Sequence, residues 1–138
     1  MVDVINRTDI EVVEAFLQAM EDMDIDAALA LCTDDVVYQN VPLPPARGRK
    51  AFEQQLRFFE KRFTGFEAHN HHIAADDKGA VLTERTDVLI MGRWRSAFWV
   101  CGTFEVVDGR IESWTDRFDY IDVTVGFVKG AIRALRAG

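Results

Sequence analysis

The sequence predicts an α+β domain in which helices come first and a long antiparallel sheet follows. Apolar residues recur at helical spacing through most of the first half, and they alternate with a period of two from residue 66 onward. The alternating segments are joined by DDKG, MGR and VDGR, which are turn sequences typical of β-hairpins. This order favours a two-layer arrangement, with the helices on one face of a curved sheet.

Three helices are expected before the long strands. Thr8 or Asp9 can cap the first helix, and Asp24 or Asp26 can cap a short second one. The third follows VPLPPARGR, which holds all three prolines of the chain and is therefore expected to be an extended loop. The third helix carries an apolar stripe made of Phe52, Leu56, Phe59 and Phe63.

Five strands and a closing helix complete the predicted order. VVYQN, residues 36–40, is β-branched and aromatic and predicts a brief strand ahead of the proline-rich loop. Four long strands follow, and then a helix. Their expected ranges are 66–75, 80–91, 94–107 and 110–120 for the strands and 122–136 for the helix.

Length and charge restrict the class of protein. A chain of 138 residues has the size of one domain, which is expected here to span residues 1–138. Lys and Arg number 16 and Asp and Glu 23, so the formal net charge is −7. Most of such a surface would repel a phosphate backbone, so no nucleic-acid partner is expected.

The cysteines and the first residues indicate a cytoplasmic protein. Cys32 and Cys101 lie in the apolar contexts LALC and FWVC without C-x-x-C spacing, so both are expected to be buried free thiols. The stretch MVDVINRTDI lacks the basic region and apolar run of a signal peptide. No apolar stretch approaches the length of a bilayer span, so no membrane insertion is expected.

The strand VLTERTDVLIM, residues 81–91, carries charged residues at its centre. Residues two apart share one face of a strand, so Arg85 and Asp87 are neighbours, with their Cα atoms roughly 7 Å apart. Taken alone, this pair is typical of a solvated salt bridge on the outer face of a sheet.

The last strand favours an inward position for the pair. In IESWTDRFDY, the alternation puts Trp114, Asp116, Phe118 and Tyr120 on one side, so Asp116 lies between large aromatic residues on the expected core face. A lone buried carboxylate costs several kcal/mol unless it is paired or hydrogen-bonded. Asp116 therefore needs partners.

Two carboxylates flanking one arginine indicate acid–base chemistry. Their repulsion raises the pKa of one carboxyl group, while the guanidinium keeps the other ionised. Tyr38 and Asn40 share a face of the first short strand with Val36 and add two uncharged hydrogen-bonding groups. One acid and one base in a dry pocket suit hydrolysis or proton transfer on a small apolar substrate.

Three stretches, VYQNVPLPPARGR, TERTDVL and WTDRFD, resemble the limonene-1,2-epoxide hydrolase family. The likeness spans nearly the whole chain, and the motifs Y-x-N, R-x-D and the aspartate of an aromatic last strand occur in the family's order. That family belongs to a fold group with nuclear transport factor 2, ketosteroid isomerase and polyketide cyclases. The resemblance implies a strongly curved, mixed but mostly antiparallel sheet that forms a cone with a deep apolar pocket.

The resemblance also implies a role for each polar residue. In that family water opens the epoxide directly, without a covalent enzyme intermediate. Asp116 would be the base that deprotonates this water, and Tyr38 and Asn40 would hold it. Asp87 would be the acid that protonates the epoxide oxygen, and Arg85 would bridge the two carboxylates.

Further expectations concern the ligands and partners. The resemblance implies that neither a metal nor an organic cofactor is required, and that the chain forms a homodimer through the open face of the sheet. Ten Phe and three Trp could line a roomy pocket, which suggests a bulky apolar epoxide such as a terpene, lipid or sterol epoxide. The chain departs from the family pattern W-R-D-Y-F-D at Thr115 and Arg117. Both lie opposite Asp116 by alternation, so altered surface pairing is expected rather than lost catalysis.

Histidines and aromatic residues allow other interpretations. The H-x-H spacing puts His69 and His71 on one strand face, yet no third metal ligand is evident at a matching position, so a partly exposed strand is expected. The aromatic residues of the next strand are expected in pocket walls or in a subunit contact; they are Trp94, Phe98, Trp99 and Phe104.

Two other functions are consistent with the same fold. A non-catalytic module that binds an apolar ligand would not need an Arg-bridged pair of aspartates. A ketosteroid-isomerase-like or cyclase-like enzyme would use one carboxylate as a base and would not need the Y-x-N pair to hold water. The site residues, and not the fold, discriminate among these functions.

Overall fold

A computed structural model describes residues 8–137 as four helices and one six-stranded sheet. The helices are α1 (Asp9–Glu21), α2 (Ile25–Ala30), α3 (Arg49–Arg62) and α4 (Tyr120–Arg136). The strands are β1 (Cys32–Val41), β2 (Ala46–Arg47), β3 (Gly65–Ala75), β4 (Ala80–Met91), β5 (Trp94–Val107) and β6 (Arg110–Phe118).

The sheet is mixed but mostly antiparallel. Its order is β2-β1-β6-β5-β4-β3, and it does not close into a barrel. β1 and β6 pair in parallel, whereas every other neighbouring pair is antiparallel. The predicted α+β class with a mixed sheet is confirmed.

The first two helices begin where their capping residues predict. Thr8 accepts a hydrogen bond from the backbone N–H of Glu11 at 3.2 Å, and the Glu11 carboxylate accepts one from the Thr8 N–H at 2.9 Å. This reciprocal pair is a capping box, which satisfies two backbone donors that the helix leaves open. Asp24 caps α2 by accepting a hydrogen bond from the Ala27 N–H at 3.1 Å.

An aromatic cluster joins α1 and α3 to one face of the sheet. Phe16 of α1 is fully buried. Its ring centroid lies 5.1 Å from that of Trp114 and 6.3 Å from that of Phe52 in α3. Phe104 of β5 stacks on Trp114 at 5.5 Å. The packing places both helices over the face of the sheet from which Trp114 and Asp116 project.

The first strand is longer than expected, and the proline-rich segment is not wholly a loop. β1 runs over Cys32–Val41 instead of 36–40, because its pairing with β6 begins at Cys32 opposite Ile111. Ala46 and Arg47 form a two-residue strand that pairs with Tyr38 and Val37. The extension of β1 depends on a partner distant in sequence, which the local pattern does not contain, whereas β2 forms by pairing with residues eight to ten positions earlier in the chain.

The last strand ends earlier than expected and the closing helix begins earlier. The prediction of a strand over 110–120 is wrong at its end, because β6 stops at Phe118 and Tyr120 is the first residue of α4. The Asp119 carboxylate accepts hydrogen bonds from the backbone N–H groups of Ile121 and Asp122 at 2.9 and 3.3 Å. This N-cap starts the helix two residues ahead of the predicted range.

Helix α4 covers β5 where β6 no longer pairs with it. The Asp122 carboxylate accepts the backbone N–H of Trp99 at 2.8 Å, and the Trp94 indole donates to the Phe127 carbonyl at 3.2 Å. Gly126 and Gly130 face the strand, and a Cβ at either position would collide with a backbone carbonyl oxygen of β5. These two glycines allow the helix to lie directly against the strand.

Both cysteines are free, as predicted. Cys32 is buried, but the prediction of burial is wrong for Cys101, which is partly exposed because the odd-numbered residues of β5 face away from the core. None of the helices described within residues 8–137 combines the length and the hydropathy of a membrane span.

Candidate active site

A buried arginine lies between two buried aspartates at the centre of the sheet. Arg85 and Asp87 project from β4 and Asp116 projects from β6, and their exposed fractions are 0%, 4% and 2%. Arg85 Nη2 lies 2.9 Å from Oδ2 of Asp87 and 2.9 Å from Oδ2 of Asp116. The inward orientation of all three side chains is confirmed, and a solvated salt bridge on the outer face is excluded.

All five N–H donors of Arg85 have acceptors within hydrogen-bonding distance. Nε donates to Oδ1 of Asp87 at 2.9 Å, and Nη2 donates to one carboxylate oxygen of each aspartate. Nη1 donates to Thr83 Oγ1 at 3.1 Å and to Asp116 Oδ1 at 3.3 Å. A guanidinium with every donor paired has a defined orientation, so it holds both carboxylates in place.

Tyr38 and Asn40 reach the same site from β1. Parallel pairing puts Tyr38 opposite Trp114 and Asn40 opposite Asp116. The Tyr38 hydroxyl donates to Oδ1 of Asn40 at 3.1 Å, and the Tyr38 ring lies 4.5 Å from the Trp114 ring. The structure thus brings together all five polar residues that the sequence singled out.

Trp114 belongs to the site as well, although its position beside Asp116 on the strand predicted only that it forms part of the apolar surroundings. Its indole Nε1 donates to Oδ1 of Asp116 at 2.7 Å. Residues 114 and 116 share a strand face, and tryptophan carries one polar donor that needs a partner when buried. That combination is the signal by which the sequence could have revealed the hydrogen bond. The role of Thr83 was also not predicted, although residues 83 and 85 share a strand face and the Thr83 hydroxyl accepts a hydrogen bond from Arg85.

Burial is the main cause of the perturbed acidity of this site. It raises the pKa of Asp116 to about 6, against the opposing effect of the Arg85 charge and of the hydrogen bonds from Arg85 and Trp114. The negative charge of Asp87 raises the pKa further. Burial also raises the pKa of Tyr38, so its phenol stays neutral. An aspartate with a raised pKa is a stronger base than an ordinary carboxylate.

The carboxylates open into an apolar cavity of about 580 Å³. Asp87, Asp116, Tyr38 and Asn40 line its polar end. Arg85 does not line it, because the guanidinium lies fully buried beside the two carboxylates. The apolar wall includes Met20, Leu56, Phe58, Phe59, Phe66, Leu89, Phe98, Trp114 and Phe118. A cavity of this size and lining suits a small molecule that is mostly apolar.

The aromatic residues of β5 divide among several environments. Phe98 lines the cavity, and Phe104 belongs to the core. Trp94 packs edge-on against Phe127 of α4, and Trp99 is 41% exposed. The expected pocket wall is therefore confirmed for Phe98, whereas Phe104 is a core residue because its ring stacks on Trp114.

Polar residues on the outer face follow the predicted alternation. Arg117 is exposed and donates to Thr103 at 3.1 Å, on the face opposite Asp116. His69 lies 2.9 Å from Glu67, and His71 lies 2.7 Å from Thr86. Within the described part of the chain, residues 8–137, no group of three His, Cys, Asp or Glu side chains could hold a metal ion.

The sequence comparisons cover most of the chain. A family model described as the limonene-1,2-epoxide hydrolase catalytic domain matches residues 7–129. Epoxide hydrolase EphG of Mycobacterium tuberculosis is 48% identical over 120 residues, which cover 87% of this chain and 79% of that protein.

Solved structures agree in fold. A structure described as an M. tuberculosis LEH-like epoxide hydrolase matches with a TM-score of 0.86 and 45% identity, over 94% of this chain and 96% of that one. A protein from Catenulispora acidiphila with a ketosteroid isomerase-like fold matches with a TM-score of 0.75 and 14% identity, over 86% and 92% of the two chains. At so low an identity, the second match shows the fold alone.

Proposed function

The chain belongs to the limonene-1,2-epoxide hydrolase family, and we propose that it adds water to a bulky apolar epoxide in one step, giving a vicinal diol. The observation that carries the proposal is the buried Asp87–Arg85–Asp116 ion-pair triad, whose carboxylates both face an apolar cavity. A module that only binds an apolar ligand gains nothing from burying two carboxylates, because their desolvation costs several kcal/mol.

Asp116 is the proposed base. Its Oδ1 accepts hydrogen bonds from Trp114 and from Arg85 Nη1, while Oδ2 accepts one from Arg85 Nη2. Oδ2 therefore has the greater free capacity to take a proton from a water molecule. A pKa of about 6 leaves the carboxylate mostly ionised at neutral pH and more basic than an ordinary aspartate.

Tyr38 and Asn40 are the proposed water-holding groups. The Tyr38 hydroxyl donates to the Asn40 carbonyl oxygen, so the phenol oxygen can accept from water and the Asn40 NH₂ group can donate to it. The water then gives one proton to Asp116 and one hydrogen bond to Tyr38, and accepts one hydrogen bond from Asn40. Its remaining lone pair is free to attack an epoxide carbon.

Asp87 is the proposed acid. As the water oxygen bonds to carbon, the carbon–oxygen bond of the epoxide breaks, and the oxygen takes the proton of Asp87. The water proton passes to Asp116 at the same time, so one proton is lost from Asp87 and one is gained by Asp116. Before the next cycle Asp116 releases the proton that it gained and Asp87 takes up one proton, which restores the starting state. Both carboxylates contact the same guanidinium, and we propose that Asp87 carries the proton in the productive state.

A bulky neutral epoxide is the proposed substrate class. The cavity of about 580 Å³ is within the size range of small-molecule sites. Apart from Asp87 and Asp116, its lining residues are uncharged. The Phe, Leu and Met side chains of the wall would bury an apolar body, which leaves the polar end of the cavity for the reacting ring.

We further propose that residues 1–138 form one hydrolase domain that acts in the cytoplasm as a homodimer without a metal or organic cofactor. The single sheet and shared core of residues 8–137 support one domain, and two free thiols are usual in a reducing compartment. An exposed apolar stripe on α4 supports the homodimer. It comprises Ile121, Val125, Val128, Ile132 and Leu135.

The test is diol formation from a panel of terpene, aryl, fatty-acid and sterol epoxides. We expect at least one class to be hydrolysed, and we expect Asp87→Asn and Asp116→Asn each to lower kcat by about 1,000-fold or more while the far-UV spectrum stays native. Asp34→Asn, which changes an exposed aspartate of β1, is the matched control and should keep full activity.

Two results would contradict the proposal. If Asp87→Asn or Asp116→Asn kept most of its activity, the aspartate replaced in that variant would not be the acid or base assigned above. A single turnover in ¹⁸O-labelled water should place the label in the first diol formed, whereas unlabelled diol with oxygen from a protein carboxylate would indicate a covalent ester instead.

A further inference from the structure

Gly102 occupies the centre of β5, directly beside the ion-pair triad. It pairs with Thr83 of β4 on one side and with Asp116 of β6 on the other. The alternate residues of the same strand, Val100 and Phe104, point into the core and are fully buried. A side chain at residue 102 would therefore also point inward.

The space that such a side chain would need is occupied by the triad itself. A Cβ at residue 102 would lie 2.6 Å from Arg85 Nη1, 2.6 Å from Asp116 Oδ1 and 2.8 Å from Thr83 Oγ1. Real Cβ atoms do not approach other heavy atoms this closely, so something would have to move. Backbone conformation does not require glycine here, since the residue lies in a regular strand outside the left-handed region.

We propose that Gly102 is a positioning residue for Asp116: the missing side chain is what allows Arg85 and Asp116 to close their ion pair against β5. The inference rests on the proposed function, because it matters for catalysis only if Asp116 is the base. Gly102 does not line the cavity, so it would act through the pair that it accommodates.

The methyl group of an alanine at residue 102 would displace Arg85 and Asp116 from each other at one defined contact. Arg85 Nη1 and Asp116 Oδ1 are 3.3 Å apart, and the added methyl group would press on both atoms. The Trp114 indole donates to the same Oδ1, so displacement of the carboxylate would also disturb that hydrogen bond. Since the Arg85 charge lowers the pKa of Asp116, moving the two apart would raise this pKa further.

The experiment compares Gly102→Ala with Gly65→Ala. The control adds the same methyl group at the start of β3, where it meets the flexible end of the Ile90 side chain at 3.2 Å. We expect Gly102→Ala to lower kcat by about 100-fold, the scale of a misplaced catalytic group, and to move the acid limb of the pH profile of kcat/KM to higher pH. Gly65→Ala should stay within about threefold of the parent with an unchanged acid limb.

A native-like activity and acid limb in Gly102→Ala would overturn the inference. So would a loss of activity that leaves the acid limb in place, because a merely structural effect would lower the amount of active enzyme without shifting the titration of its base.

A second measurement does not depend on activity. The urea midpoint of Gly102→Ala is compared in the parent and in the Asp116→Ala background, where one of the three clashing groups is gone. We expect the penalty of the added methyl group to be clearly smaller in the second background, as coupled neighbours show in double-mutant cycles. Equal penalties, or failure to fold in both backgrounds, would overturn the inference.

This cycle also separates the two proposals. If the parent hydrolyses no epoxide of the panel but the methyl penalty depends on Asp116, the proposed function fails and the positioning of Asp116 by Gly102 stands. If epoxides are hydrolysed and the two penalties are equal, the function stands and the role of Gly102 fails.

Discussion

At the scale of single residues, the two aspartates share one arginine but have different surroundings. Asp87 accepts Nε and Nη2 of Arg85, and it faces the cavity from β4. Asp116 accepts Nη1 and Nη2 and in addition the Trp114 indole. Burial raises the pKa of Asp116 to about 6, while the hydrogen bonds from Arg85 and Trp114 act in the opposite direction.

Trp114→Phe tests the contribution of the indole donor. The variant removes the hydrogen bond of 2.7 Å to Asp116 Oδ1 and keeps an aromatic ring against Tyr38 and Phe104. That bond lowers the pKa of Asp116, so its loss should raise this pKa. We expect the acid limb of kcat/KM to move upward by about half a pH unit or more, the equivalent of a hydrogen bond worth about 1 kcal/mol.

Trp94→Phe is the control for that prediction. The Trp94 indole donates to the Phe127 carbonyl of α4, away from the triad, so its removal should leave the acid limb where it is. The role given to the indole would be contradicted if the acid limb of the kcat/KM profile were unchanged in Trp114→Phe, or if it moved equally in both variants.

At the scale of elements, the parallel pairing of β1 with β6 completes the site. It sets Asn40 beside Asp116 and Tyr38 beside Trp114, although these residues are far apart in sequence. The antiparallel pairing of β4, β5 and β6 brings Thr83, Gly102 and Asp116 into one row across three strands. The site thus uses side chains from one face of neighbouring strands, which is a rigid foundation for catalytic groups.

The exposed apolar stripe makes helix α4, and not the open face of the sheet that the family resemblance implies, the element that we expect to join two copies of the chain. Its exposed apolar residues recur at alternating steps of four and three, the spacing of a helix-pairing seam. Asp122 lies in its first turn, and Arg133 and Arg136 lie in its last. An antiparallel second copy would set the acidic start of one helix against the basic end of the other.

Val128→Glu tests this contact at the centre of the stripe. We expect light scattering to give the mass of a dimer for the parent and that of a monomer for the variant, because a charge would be buried without a partner. Val107→Glu is the matched control, since Val107 is 46% exposed at the β5–β6 hairpin and should leave the mass unchanged. A monomeric parent, or a variant that remains a dimer, would contradict the proposal.

At the scale of the whole molecule, burying Asp116 links stability to pH. Its folded-state pKa of about 6 lies above the ordinary value of 3.8, so the folded state binds this proton more tightly than the unfolded state does. Below about pH 4 both states hold the proton, and the stabilisation that the raised pKa gives to the folded state is fully present. Between about pH 4 and 6 the unfolded state ionises first, so stability falls as pH rises.

The predicted loss of folding stability with rising pH is measured by comparing the parent with Asp116→Asn. Urea unfolding of both proteins from pH 4 to pH 7 should show the parent losing stability relative to the variant, by an amount on the order of 3 kcal/mol, since the amide does not ionise. A difference between the two proteins that is constant over this range would show that Asp116 titrates alike in both states.

Local spacing was enough to predict most of the elements, because the period of a strand is a property of neighbouring residues. Alternation put Arg85 and Asp87 on one strand face and Asp116 on the core face of another strand, and the need of a buried Asp116 for partners favoured the inward position of the pair. The caps at Thr8 and Asp24 are equally local, since each accepts a backbone N–H three residues ahead. The predicted end of the last strand at residue 120 is wrong because the apolar–polar alternation continues to Tyr120, whereas the N-cap at Asp119 begins a helix there.

Periodicity and capping residues predicted the α+β class, the order of the elements apart from β2, and the residue types of an acid–base site. The parallel pairing of β1 with β6, the hydrogen bond from the Trp114 indole to Asp116 and the space that Gly102 leaves for the ion pair became evident in the folded chain. Periodicity and capping depend on residues a few positions apart, whereas these contacts join segments whose meeting depends on the packing of the whole chain.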